Sequence, residues 1–411
     1  MQAIDVDITL NRFGDHDPLG KMYVLTAING LPTPGVPAVR AEAASHQVSS
    51  GLFDDPIQPL VIRANEGECV QMTFTNNASG GAYGVHIDGL AFQVGSSGDA
   101  VGQNPASSVP QGGSITYRYY VPNDPTLEGT HYLYPGPGNR DAVSHGLFGA
   151  LAVEPPGSTY LDLNPKNTAP LASGWEASIV PGPVNGVQPK TFREYVQVYH
   201  EIGNESFDVL DKNNKALPKI DPFTGAYRPG SKAINYRSEP FFNRSGKAPE
   251  QDSQGYGSYT FGDPATPIQR SYLGDPTKIR ILHAGSEMFH VFHLHGGGIR
   301  WRFNPHADTT YNYADTGLQK HPATIASPST RLDSQAFGPG ESYDLEIEGG
   351  AGGVQQGVGE FATSPTTTSR ACGASGASTT RCSPTWPRCP IAPRPRRRWT
   401  PPACSARPTT A

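Results

Sequence analysis

"HVFHLHGGGI" (His290–Ile299) places three histidines within six residues and follows them with a glycine run. In an extended chain, residues two apart share a face and residues three apart do not. His293 and His295 therefore project together, and His290 projects from the opposite side. Val291, Phe292 and Leu294 give the segment the apolar, β-branched and aromatic character of a strand. Gly296, Gly297 and Gly298 then permit a tight turn or close backbone approach. Imidazole binds copper, zinc, iron and nickel, so one such strand can serve a metal on each face, and residue type alone does not select the metal.

Working outward, the chain carries two similar strand-rich patterns. "PLVIRANEGECVQMTFTNN" (59–77) alternates apolar and polar residues around a Glu66-Gly67-Glu68 turn. "DPTKIRILHAGSEMFHVFHLHG" (275–296) does the same around Ala284-Gly285-Ser286. Each is followed by a glycine turn entering a strand. In "VPQGGSITYRYYVP" (109–122) Ile115, Tyr117 and Tyr119 share a face, and in "FGPGESYDLEIEGG" (337–350) Tyr343, Leu345 and Ile347 do. A return strand closes the first copy, "GLFGALAVEPP" (146–156), whereas the second stops at "GEF" (359–361). With 47 Gly and 40 Pro in 411 residues, the composition favours short strands and many turns over helices. The expectation is an all-β protein of two antiparallel β-sandwich domains, 1–156 and 157–361, followed by a disordered tail, 362–411. The stretch 155–190 reads as linker, and 203–268, rich in Asn, Gly, Ser and Pro, as a long inserted loop.

Charge narrows the partners. The net charge is −5, but residues 362–411 hold eight Arg and no acid, leaving 24 basic against 37 acidic residues in the body. So acidic a body is a poor nucleic-acid ligand. No run reaches the length of a membrane span. Cys69 is the body's one cysteine, which excludes a disulfide framework there, and it reads as a small apolar strand residue. Asp15, His16 and Asp17 in "GDHDPLG" read as a turn rather than a cation loop, given Pro18 and Gly20.

The His-x-x-His-x-His-Gly pattern resembles the C-terminal domain of the multicopper oxidases, and the two halves resemble their cupredoxin domains, Greek-key sandwiches. The resemblance implies copper as cofactor. It makes His290 a ligand of a type 1 copper, and His293 and His295 ligands of a type 2/type 3 cluster. It implies oxidation of a small reductant, a phenol or a metal ion such as Mn(II) or Fe(II), coupled to reduction of O2 to water. In that family the N-terminal domain adds two further His-x-His pairs. Here the matching places read "GVHIDGL" and "GTHYLYPGPGNRDAVSHGLFGALAV", where His86, His131 and His145 each stand unpaired. The first half thus resembles the copper-free cupredoxin domains of longer, ceruloplasmin-like or manganese-oxidase-like members. "MQAIDVDITL" lacks the basic and apolar regions of a signal peptide, a cytoplasmic reading by default, although members of the family are often exported.

The family's closing motif, His-Cys-His, then His, then an axial Met, should follow "GEF". Instead the chain reads "ATSPTTTSRACGASGASTTRCSPTWPRCP". From 362 to 411 there is one Ile and no Leu, Val, Phe, Tyr or Met. The four cysteines, Cys372, Cys382, Cys389 and Cys404, lack any Cys-x-x-Cys knuckle for zinc, and "RPRRRW" (394–399) is the one basic run. The composition is that of a GC-rich gene read out of frame. Codons permitted by Ala362–Ser383, read two bases later, can encode a His, a type 3 His, an axial Met and a final apolar strand, again resembling the family. On this reading a short deletion after Phe361 also removed the Cys codon. The type 1 site is then incomplete, no residue is assigned a catalytic role, and the alternative to an oxidase is an inactive cupredoxin fragment with weak copper or zinc binding. Sequencing the gene across the Phe361 codon tests this: the shifted frame should spell the closing motif, and a shifted frame without histidine codons would contradict it.

Overall fold

The computed structural model describes residues 1–28, 31–52, 54–136, 138–163, 171, 173–183, 186–203, 207–219, 231–246, 257–286, 289–295, 299–303, 332–355, 359–365 and 378–383. In chain order the strands are β1 (Gln2–Asp5), β2 (Ile8–Thr9), β3 (His16–Asp17), β4 (Lys21–Val24), β5 (Ala27–Ile28), β6 (Leu31–Pro32), β7 (Leu60–Asn65), β8 (Cys69–Asn76), β9 (His86–Ile87), β10 (Ala91–Phe92), β11 (Ser114–Tyr120), β12 (Gly129–Tyr134) and β13 (Gly149–Glu154). There follow β14 (Thr159–Leu161), β15 (Glu176–Val180), β16 (Phe192–Ile202), β17 (Ser231–Ile234), β18 (Ile268–Tyr272), β19 (Thr277–His283), β20 (His290–Leu294), β21 (Trp301–Phe303), β22 (Ser334–Phe337), β23 (Ser342–Ile347), β24 (Gly359–Pro365) and β25 (Ser378–Ser383). The longest described helix, α1 (Gly35–Ser45), has 11 residues, and no described helix is long and apolar enough to cross a membrane. The fold is all-β, built from cupredoxin-like sandwiches.

Four sheets form the body. Two come from the first half, ordered β10-β11-β8-β1-β4 and β7-β13-β12-β9. Two come from the second, β14-β15-β16-β19-β23-β21 and β18-β25-β24-β20-β22. Alternation along each strand decides which layer a residue faces. In the first half, Phe74, Tyr117 and Tyr119 pack against Ile62, Leu133, Leu151 and Val153. The other face of β7-β13-β12 sends Val61, Tyr132, Ala150 and Ala152 into a core with Val196 and Val198 of β16, Leu282 of β19 and Ala284 just after it. The opposite face of β16 and β19 sends Tyr199, Ile279 and Ile281 against Phe292 and Leu294 of β20, Trp301 and Phe337. Middle strands therefore need apolar residues on both faces, which is why β13 and β19 are buried at every position.

Those middle strands also bury charge, which is tolerated only where it is paired. Arg280, 0% exposed, donates to Glu194 at 2.7 Å, Asp344 at 2.7 Å and Glu154 at 2.8 Å. Arg63 of β7 reaches Glu194 at 2.9 Å, and Lys278 reaches Glu128 at 2.8 Å. Arg63, Glu128 and Glu154 belong to the first half, and the others to the second. Burial raises the Glu154 carboxyl well above its usual range. Burial acts upward on Glu194 as well, but the flanking Arg280 and Arg63 guanidiniums outweigh it and hold that carboxyl down. Gly129, at φ +140°, passes so close to the Asp344 carboxylate that a Cβ would lie 2.1 Å from its oxygen.

Several expectations are corrected. The stretch 155–190, read as linker, contributes β14 and β15 to a sheet. The segment 203–268, read as a loop, supplies β17, which pairs with β16, and the short helices α3 (Phe241–Ser245) and α4 (Ser258–Phe261). Polar side chains hid these strands, whose pairing is set by backbone hydrogen bonds to neighbours already in place. Within 362–411 the described residues include β25, which pairs antiparallel with β24 and parallel with β18. β25 lies between β24 and β18, and such pairing is made by backbone N–H and C=O groups whatever the side chains. The "RPRRRW" run lies outside the described residues. Cys69 is disulfide-bonded rather than a simple apolar residue; every other cysteine lies beyond residue 371, so no local spacing could signal it.

Replacing Arg280 with Met should destabilise the protein by about 3–5 kcal/mol, because buried carboxylates lose their counter-ion. Urea unfolding measures this, and a loss below about 1 kcal/mol would show that the carboxylates reprotonate without penalty.

Candidate metal centre

β20 alternates as the spacing of its histidines requires. His290, Phe292 and Leu294 are buried, while Val291 and His293 are only half-buried. His290, 1% exposed, points into the second sandwich, where its ring lies 5.7 Å from Tyr199 and 6.3 Å from Phe337. His293 and exposed His295 sit on the other side with their rings edge-to-face, 4.5 Å apart. The Nδ1 of His293 donates to the Asp333 carbonyl at 2.7 Å and lies 3.0 Å from Ser334 Oγ. That fixes the proton on Nδ1 and leaves the Nε2 lone pair outward, the tautomer that a ligating imidazole commonly has. Burial, and then the neighbouring His293, lower the pKa of His295 and favour its neutral, ligating form. Gly296, Gly297 and Gly298 lie outside the described residues.

The buried side holds more than the sequence suggested. Glu201 and His283 join His290, with one donor atom from each within 4.8 Å of the others. His290 Nε2 donates to Glu201 Oε1 at 2.9 Å, and His283 Nε2 lies 3.9 Å from the same oxygen. β16 and β19 bring these residues together because they pair in parallel with Tyr199 opposite His283. Burial acts to raise the Glu201 carboxyl, but the His290 hydrogen bond and the charges of nearby histidines hold it below its usual range. Neighbouring His200 points the other way, against Phe148 and Tyr236, and burial pushes it down to about 3. Sequence reasoning missed Glu201 and His283. The available signals were an acid inside the apolar run "YVQVYHEI" and a histidine closing the strand before His290.

The first half uses its histidines otherwise. Both ring nitrogens of His131 face carbonyl oxygens, of Asp88 at 2.9 Å and Leu127 at 2.8 Å. His86 contacts the Ser97 carbonyl through Nδ1 and Asp88 Oδ1 at 3.2 Å through Nε2; the Asp88 hydrogen bond raises its pKa against the effect of burial. His145 holds Asp17 at 2.8 Å and stacks on Phe207 at 3.7 Å. Asp15 accepts from Asn11 and Asn243, and Asp17 also accepts from the Leu19 amide, so "GDHDPLG" is a hydrogen-bonded turn.

Residues 44–158, which span β7 to β13, match the family described as Multicopper oxidase. That segment is similar to the multicopper oxidases. That family uses copper. The chain is also similar to solved structures titled crystal structure of multicopper oxidase (16% identity, 93% of this chain, 87% of that chain, TM-score 0.49) and Blue Copper Oxidase from Nitrosomonas europaea (16%, 93%, 84%, 0.48). A third is copper nitrite reductase from Nitrosomonas europaea (15%, 93%, 92%, 0.49). No curated protein matches.

The donors do not fit the blue copper centre associated with multicopper oxidases, which needs a thiolate beside its imidazoles. Among the described side chains around His290 there is none, and Cys69 is tied up in a disulfide in another sheet. No histidine follows His321 in the sequence, so the tail cannot supply the second imidazole either.

Proposed function

We propose that the chain derives from an oxidase that used copper to oxidise a small reductant, a phenol or an ion such as Mn(II) or Fe(II), with reduction of O2 to water, and that in its present sequence this activity is impaired. His290, His293 and His295 are its remaining metal ligands from that ancestry. One observation carries the impairment. His86, His131 and His145, the histidines at the places where the family carries its His-x-His pairs, are engaged by carbonyls and carboxylates and do not form pairs with one another. A trinuclear cluster needs ligands from both sides; the His293–His295 side offers two adjacent imidazoles, and His86, His131 and His145 offer no such pair opposite it. The missing thiolate removes the entry point for electrons on the other face of β20. What remains is imidazole that can hold copper or zinc without a route between metals.

Copper-loaded protein, freed of excess metal, should show no intense absorption at about 600 nm. It should also consume no O2 with phenols, Fe(II) or Mn(II) beyond the rate of free copper. Sustained turnover with any of these reductants would overturn the reading.

A further inference from the structure

We propose that Glu201, His283 and His290 form a sulfur-free binding site for a divalent first-row transition metal, Zn(II) being its best fit, inside the second sandwich. The site shares His290 with the oxidase reading but uses neither the lost thiolate nor the His293–His295 pair.

Three observations carry it. First, the donor set is right: two imidazoles and one carboxylate are a zinc combination that leaves a fourth position open. Second, the spacing is right. Ligands about 2.0–2.2 Å from a tetrahedral ion lie about 3.3–3.6 Å from one another, and Glu201 Oε1 stands 2.9 Å from His290 and 3.9 Å from His283, to either side of that value. Third, two polar atoms of the ligating side chains are left over. Glu201 is 6% exposed and His290 1%, yet Glu201 Oε2 and His290 Nδ1 have no hydrogen-bond partner. A buried polar atom without a partner costs about 1–3 kcal/mol, so a pair of them in one cluster needs a reason.

Gly285 supports the same reading. A Cβ there would stand 1.9 Å from Glu201 Oε2, so only glycine leaves room for the carboxylate. Its amide donates to His283 Nδ1 at 3.0 Å. In the metal-free protein that bond places the His283 proton on Nε2, so ligation through Nε2 requires the proton to leave Nε2 for Nδ1 and the Gly285 hydrogen bond to be given up. The ring nitrogens of His290 are free to exchange roles, because Nδ1 is not engaged.

The test uses the full chain with His46→Ala, His293→Ala and His295→Ala. These silence the outward pair and the cluster of Asp7, His16 and His46, the other described group close enough to hold an ion. After chelator treatment, titration with Co(II) should give one equivalent of bound metal, with visible d–d bands of a four- or five-coordinate nitrogen and oxygen site, displaced by Zn(II). Adding Glu201→Gln should weaken Co(II) binding by about 100-fold or more, with circular dichroism confirming the fold. Failure of the triple variant to take up stoichiometric Co(II) overturns the proposal, and so does undiminished binding after Glu201→Gln in folded protein. Neither result bears on O2 consumption, which tests the oxidase reading separately.

Discussion

A fully buried guanidinium holds this molecule together. Arg280 lies between the two middle sheets and binds three carboxylates, one of which, Glu154, comes from the other half of the chain. Removing any of these ions leaves the others desolvated and unmatched, so the sheets can stack in only one register. Hydrophobic contact alone would tolerate sliding of Val196, Val198 and Leu282 over Ala150 and Ala152, because apolar attraction is not directional. The charges do not tolerate it. Gly129 marks how closely the layers approach, with no space for a Cβ against Asp344.

That constraint fixes the histidine-bearing end of the second sandwich. β16 carries Glu194 in the ion cluster and Glu201 seven residues on, and β19 carries Arg280 and, three residues on, His283. An odd offset along a strand reverses the face. Clamping Glu194 and Arg280 toward the first half therefore turns Glu201 and His283 toward β20. There they meet His290, while His293 and His295 look outward from the same strand. The two faces of β20 are thus chemically separate: a buried carboxylate and imidazole cluster on one, an outward imidazole pair on the other.

Much of this was legible in the sequence. Spacing alone separated His290 from His293 and His295, alternation identified the inward Tyr117 and Tyr119, and composition gave an all-β fold with an acidic body. The buried triad was not legible, because Glu201 and His283 lie 82 residues apart and meet only through β16–β19 pairing. β14, β15 and β17 were hidden by polar and proline-rich surroundings, and β25 by a composition with almost no apolar residues. Their pairing depends on sheet edges presented by other segments, which no local pattern encodes. The cross-half ion network was likewise invisible, since Arg63, Glu154, Glu194 and Arg280 read individually as ordinary strand charges.

The central claim is that copper held by this chain has no sulfur ligand. X-ray absorption at the copper K edge, on protein loaded with one equivalent and freed of excess, addresses it most directly. The account predicts a first shell of nitrogen and oxygen at about 2.0 Å with imidazole scattering beyond it. A short copper–sulfur shell would show that a tail cysteine reaches the His290 side and would contradict the account.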